Sequence, residues 1–207
     1  MNTMRILTAT AFATAITVTT VAAQQPQTQR VRGTIEKVEG NTLLVKSSSG
    51  APVTLMLADN AVIVGVLKAT VADIKEGSYI GSGAMPQPDG TQKAVEVHIF
   101  AESQRGTGDG HRPDWDGSPY GAGIGTMTNG AVGQAVSSVD GPVITVKYKD
   151  GEKKIVVTPS ASIVRYEVGD RGEIKPGAAI NVAAATKKPD GTFTAARVNV
   201  GRNGLVP

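Results

Sequence analysis

The chain of 207 residues contains no cysteine. That excludes disulfides, thiolate nucleophiles and every Cys-ligated zinc or iron–sulfur centre. Only two histidines are present, so neither a Ser–His–acid relay nor a multi-His metal centre has much to draw on. Aromatic residues make up 4% of the chain, with a single Trp. Lys and Arg alternate with Asp and Glu around a net charge of +3. A basic stripe interleaved with stacking rings is missing, so no nucleic-acid partner is expected. The glycine-rich runs from Gly106 to His111 and from Gly121 to Gly125 lack both the Gly-Lys-Ser/Thr ending of a phosphate loop and the GxGxxG spacing. No helical pattern follows either run.

What is present begins with a targeting pattern. Arg5 precedes an uncharged stretch from Ile6 to Val21 that ends at Val21-Ala22-Ala23. A charged start, an apolar middle and a small-residue exit form a secretory signal. The stretch is diluted by threonines and falls short of the ~20 strongly apolar residues that span a bilayer. The expected segment is 1–23, with cleavage after Ala23. The product is then periplasmic or secreted, with no stable membrane span.

The remainder is duplicated. Val38–Lys46 (VEGNTLLVK) matches Val139–Lys147 (VDGPVITVK), Asp73–Gly77 (DIKEG) matches Glu173–Gly177 (EIKPG), and Pro88–Val97 (PDGTQKAVEV) matches Pro189–Val198 (PDGTFTAARV). Three blocks in one order at a nearly constant offset mark two copies of one structural unit. Each copy reads as short strands separated by Asp-Gly-type turns, which are hairpin signals because glycine accepts positive φ. DIKEG and EIKPG read as a helical turn stopped by glycine. Val95, Val97 and Ile99 alternate with Glu96 and His98, so one face of that strand is buried and the other wet. So few residues per copy fill a small barrel more economically than two sheets, and a barrel also removes exposed edges. The expected class is all-β: two tandem five- to six-stranded barrels at 30–100 and 131–201, a Gly-rich linker or docking loop at 101–130, and a tail at 202–207.

This order of strand, Asp/Glu-Gly turn, strand, D-I-K-x-G, strand, P-D-G-T and A-x-x-V-x-V resembles a widespread bacterial domain of unknown function. That domain looks like an oligonucleotide/oligosaccharide-binding-type small barrel and often occurs in tandem in exported proteins. The stretch from Ala101 to Asn129 and the tail VGRNGLVP resemble one subfamily with a signal, two such domains and an R-G-T-G-x-G-H core. Its members often carry the label metal ABC transporter permease, yet a permease needs several spanning helices and this sequence has none. The resemblance implies a fold and a compartment and brings no catalytic residues.

The segment Ala101–Gly130 holds eight of the 25 glycines and the only Trp. It reads either as a solvated spacer or as a long loop docked across a barrel, since long loops in compact proteins are often functional. As a metal site, His111 with Asp109, Asp114 and Asp116, joined by His98, offers imidazole and carboxylate for Zn, Cu(II) or Ni. The His111-to-Asp114 spacing matches no ligand signature, and Arg112 between them opposes a cation. As a ligand or interaction platform, Arg105, Arg112, Trp115 and Tyr120 offer donor forks and apolar ring faces. Carboxylates such as Glu36, Glu39, Asp59, Asp73, Glu76 and Asp89 fall at turns or wet faces. The expectation is therefore a non-enzymatic binding or interaction module without a cofactor, with an envelope protein or glycan as partner. Periplasmic metal handling is the alternative.

Overall fold

The computed structural model describes residues 28–115, 125–136 and 138–207. The expected signal segment, Asp116 and Tyr120 lie outside them. Twelve strands form one continuous hydrogen-bonded sheet: β1 (Thr28–Glu39), β2 (Thr42–Ser47), β3 (Pro52–Lys68), β4 (Tyr79–Pro86), β5 (Gln92–Ile99), β6 (Gly110–Trp115), β7 (Gly125–Val136), β8 (Val143–Tyr148), β9 (Gly151–Val156), β10 (Ser162–Val168), β11 (Ala179–Lys187) and β12 (Phe193–Gly201). The all-β class is as the turn and strand pattern predicts. Where β9 and β10 are separate, β3 runs unbroken. Pro159 accounts for the break, because it lacks an N–H for the ladder, and a turn closes there from Ala161 N to Thr158 O at 3.0 Å. The helical turns expected at DIKEG and EIKPG are short 3-10 turns placed slightly earlier, at Val71–Asp73 and Arg171–Glu173.

The strands do not close within each copy, as the division at 30–100 and 131–201 leads one to expect. They are exchanged. Barrel one is the ring β1-β2-β3-β12-β11, three strands from the first copy and two from the second. Barrel two is the ring β7-β8-β9-β5-β4, closed where Gln92 and Lys93 pair with Ile155 and Val156. The two cores follow the same division. Ile35, Leu43 and Leu55 pack with Ile180, Val198 and Val200 in barrel one. Ile80 and Val97 pack with Ile144, Val146 and Ile155 in barrel two.

The join between the barrels is an antiparallel ribbon of β3 and β10, in which Val66 faces Tyr166 and Val64 faces Val168. Since DIKEG and EIKPG are offset by 100, Val66 and Tyr166 are equivalent positions. The ribbon therefore lies on a local two-fold axis, the arrangement of a domain-swapped pair written into one chain. A chain of ion pairs runs along one face of the ribbon. Arg165 contacts Asp73 at 3.9 Å and Glu167 at 2.9 Å, and Arg202 contacts Glu167 and Glu173 at 2.7 Å each. Asp73 and Glu173 also brace the 3-10 turns at either end, accepting from the Thr70 and Asp170 backbone N–H groups at 2.8 and 3.1 Å.

Register also fixes the structural match of the first strands. Gly33 in β1 and Gly130 in β7 sit where a Cβ would meet the carbonyl oxygens of Lys46 and Lys147 at 2.2 and 2.3 Å. Only glycine allows these close crossings. Arg32-Gly33-Thr34 thus corresponds to Asn129-Gly130-Ala131.

Candidate functional site

The central segment is docked onto the body along its described length. Arg105 donates to Glu102 and to the Gly77 carbonyl (2.7 Å), with its guanidinium over the Tyr79 ring at 5.8 Å. Asp109 accepts from the Tyr79 hydroxyl at 3.2 Å and from the Lys149 backbone N–H at 2.8 Å. Burial, helped by the Asp109 carboxylate, pushes the Tyr79 phenol up to about 12, so it remains a donor at every physiological pH. Asn129 Nδ2 donates to the Thr107 carbonyl at 3.1 Å, and Arg112 donates to the Gly108 carbonyl at 3.2 Å. These side chains hold the segment in place. The chain then enters β6, a strand not foreseen from the sequence, which pairs with the first half of β7 while β8 takes the second half. Trp115 ends β6 and lies over Gly83 of β4, where a Cβ would stand 2.6 Å from its ring.

β6 carries His111 to the end of barrel two. Its Nδ1 is 2.8 Å from the Thr128 hydroxyl, and its ring lies roughly parallel to that of Tyr148, with centroids 6.3 Å apart. Burial, assisted by the Lys153 ammonium, holds the imidazole below the ordinary histidine range. Inside this rim the barrel wall is polar. Thr126, Thr128, Ser82 and Gln92 are all buried. The Thr126 hydroxyl donates to Gln92 Oε1 at 2.8 Å, and the Ser82 hydroxyl has no partner among the described residues.

The corresponding end of barrel one is apolar. Val182 pairs with Val31 there, where Ser82 pairs with Thr128 in barrel two. Phe193 occupies the place of Gln92, one residue after the shared PDGT turn. A buried hydroxyl without a partner costs about 1–3 kcal/mol. Polar groups gathered at one barrel end, with the same backbone lined by valine and phenylalanine in its sister, mark the rim of barrel two as the candidate site. It offers two roughly parallel rings (His111, Tyr148), a cation (Lys153), and hydroxyl and amide groups behind them.

Of the described residues singled out from the sequence, only His111 belongs to this rim. Arg105 and Asp109 act as fasteners, Trp115 covers Gly83, and Arg112 and Asp114 are exposed on β6. His98, expected to face solvent, is partly buried. It stacks on Tyr166 with centroids 5.2 Å apart and lies 3.6 Å from Glu96. His98 and His111 are carried by strands separated by β4 and β7. Among the described residues no three His, Asp or Glu side chains converge as a cation site, and both oxygens of Asp109 already accept hydrogen bonds. Sequence reasoning missed Ser82, Gln92, Thr126, Thr128, Tyr148 and Lys153. The signal for two of them was in plain view: aligned copies pair Ser82 with Val182 and Gln92 with Phe193, polar against apolar at core positions. No family model matches the chain, and no curated protein and no solved structure shows significant similarity to it.

Proposed function

We propose that this chain is a non-catalytic binding module of the cell envelope, and that the rim of barrel two takes a polyhydroxylated ligand, a sugar unit of an envelope glycan. The observation that carries this reading is the polar lining of one barrel end against the apolar lining of the other. Evolution of a duplicated core toward buried polar groups, the unpartnered Ser82 hydroxyl among them, costs stability, and a ligand that completes their hydrogen bonds offsets that cost. The roughly parallel His111 and Tyr148 rings present apolar faces with polar edges, the usual partner of a sugar ring. Gln92 and the Thr128 and Ser82 hydroxyls supply both donors and acceptors. A binding role also accords with the engagement of Asp109 and Arg105 in structure rather than chemistry. The envelope location rests on the Arg5-to-Ala23 signal pattern.

The test is an NMR titration of the protein with N-acetylglucosamine oligomers. Shifts centred on His111, Thr128 and Tyr148, lost in Tyr148→Ala, are the expected result. An absence of shifts at millimolar oligomer, or shifts confined to barrel one, would overturn the assignment of the rim.

A further inference from the structure

The second face of the β3/β10 ribbon, opposite the ion-pair chain, carries Val62, Val64, Val66, Tyr166 and Val168. The segment around Gln104 and Thr107 lies over it and leaves a cavity of about 250 Å³, lined among others by Val62, Val64, Val168, Gln104 and Arg197. Arg197 stands on β12 opposite Val62. It is half-buried and takes part in none of the ion pairs or side-chain hydrogen bonds of the described residues. Burial lowers its pKa, and the Tyr166 phenol is the group acting the other way. A desolvated guanidinium without an acceptor is costly.

Its surroundings are short of partners as well. Asn199, two residues along the same strand and face, is 8% exposed, and its Oδ1 has no hydrogen-bond partner among the described residues. Asn181, directly across on β11, has the same defect, and so does Gln104 Oε1. Of these three, Gln104 lines the cavity with Arg197, and Asn199 and Asn181 follow on the same strand and its neighbour. Each is an amide, which presents a donor as readily as an acceptor. Arg32 pairs across from Asn181, and both Arg30 and Arg32 act on the Tyr166 hydroxyl, with Glu96 as the carboxylate among its neighbours. With Arg197, three guanidinium groups and one carboxylate act on that phenol. At the edge of the cavity, Val62 and Val168 are 53% and 74% exposed, an apolar border beside a cation.

We propose that this cavity is a binding site for a small carboxylate with an apolar body. The carboxylate lies on the Arg197 fork and the Gln104 amide, and the body lies against Val62, Val64 and Val168. A planar, bidentate donor suits a carboxylate, and the valine wall disfavours a fully hydrated inorganic anion. The site uses none of the residues at the rim of barrel two, so the two assignments stand or fall separately.

The experiment is a thermal melt with binding isotherms on the full chain, using hexanoate as probe beside hexanol and inorganic phosphate at matched ionic strength. Hexanoate raises the melting midpoint by several degrees, and the other two do not. Arg197→Gln weakens hexanoate binding at least tenfold. Val62→Trp, which fills the exposed border without touching the core, does the same and decides the matter if Arg197→Gln does not fold. No response to hexanoate, an equal response to hexanol or to phosphate, or binding that survives both substitutions would overturn the proposal.

Discussion

The two barrels share a backbone plan and differ in what they enclose. Barrel one closes its end with Val31, Val182 and Phe193, and barrel two places Thr128, Ser82 and Gln92 at the matching positions. The outer faces diverge too. Barrel two covers its Gly81–Gly83 floor with Phe100 and Trp115, while barrel one carries Asn181 at the matching place with Arg32 beside it. One barrel is built for packing, the other tolerates polar groups where packing would be better. The exchange of strands explains how that tolerance persists. Neither barrel is an independent unit, so the apolar barrel and the shared ribbon stabilise the polar one.

The strongest way to break this comparison is to separate the copies. Fragments 28–115 and 125–207 each hold three strands of one barrel and two of the other, and alone each leaves unpaired strand edges. The isolated fragments are expected to associate as dimers through the same exchange, and mixing them should give a 1:1 complex with the far-UV spectrum of the parent. Light scattering after size exclusion reads this directly. A stably folded monomer of either fragment would show that a copy closes on itself, and the shared-barrel account would fail.

Next in size are matched core deletions. Ile180 in barrel one and Ile80 in barrel two are both fully buried, so Ile180→Ala and Ile80→Ala should each cost about 2–5 kcal/mol. Because strands are shared, each substitution should lower a single unfolding transition detected alike by Trp115 fluorescence (barrel two) and by backbone signals of barrel one. Two separated transitions would mean that the barrels unfold independently.

A reciprocal swap then tests the polar lining itself. Val182→Ser puts a hydroxyl into the apolar end of barrel one and should cost about 2–4 kcal/mol, through lost packing and an unmet hydrogen bond. Ser82→Val does the reverse where the hydroxyl already lacks a partner. It should be neutral or stabilising by about 1 kcal/mol, while removing a group from the proposed rim. Chemical denaturation gives both values. Equal losses in the two variants would mean that Ser82 contributes to stability after all.

Much of the architecture is legible in the sequence. The hairpin turns at Gly40 and Gly50, both glycines at positive φ, and the PDGT turns follow from local chemistry. The strand exchange is not legible, because DIKEG and EIKPG permit the chain either to fold back or to cross over, and the choice depends on the β3/β10 ribbon. The bulges in β1 and β7 also slide the structural match of the first strands away from the offset of the conserved blocks. That hides the equivalence of Thr128 and Val31. Within the central segment, the count of unusual residues pointed to order but not to purpose. Arg105 and Asp109 have the composition of a site and the contacts of a clamp, and nothing but three-dimensional contact separates the two.

The smallest expected effect belongs to barrel two alone, since barrel one has no histidine at the corresponding rim. His111 is held below the ordinary value of 6.5 by burial and by Lys153, so the unfolded chain binds its proton more readily than the folded one. Above pH 6.5 both states are neutral and the residue adds no pH dependence. As the pH falls below 6.5, the unfolded state gains protons first, and stability falls until the folded-state value is passed. His111→Gln keeps a polar side chain beside Thr128 and removes the titration. The difference in unfolding free energy between His111→Gln and the parent should be flat above neutrality and should move in favour of the variant on acidification. Lys153→Met, by relieving the cation, should shrink the parent's slope without abolishing it. A parent that gains stability relative to His111→Gln as the pH falls would mean that the imidazolium has a partner at the rim. The picture of a neutral ring offered to an uncharged ligand would then be wrong.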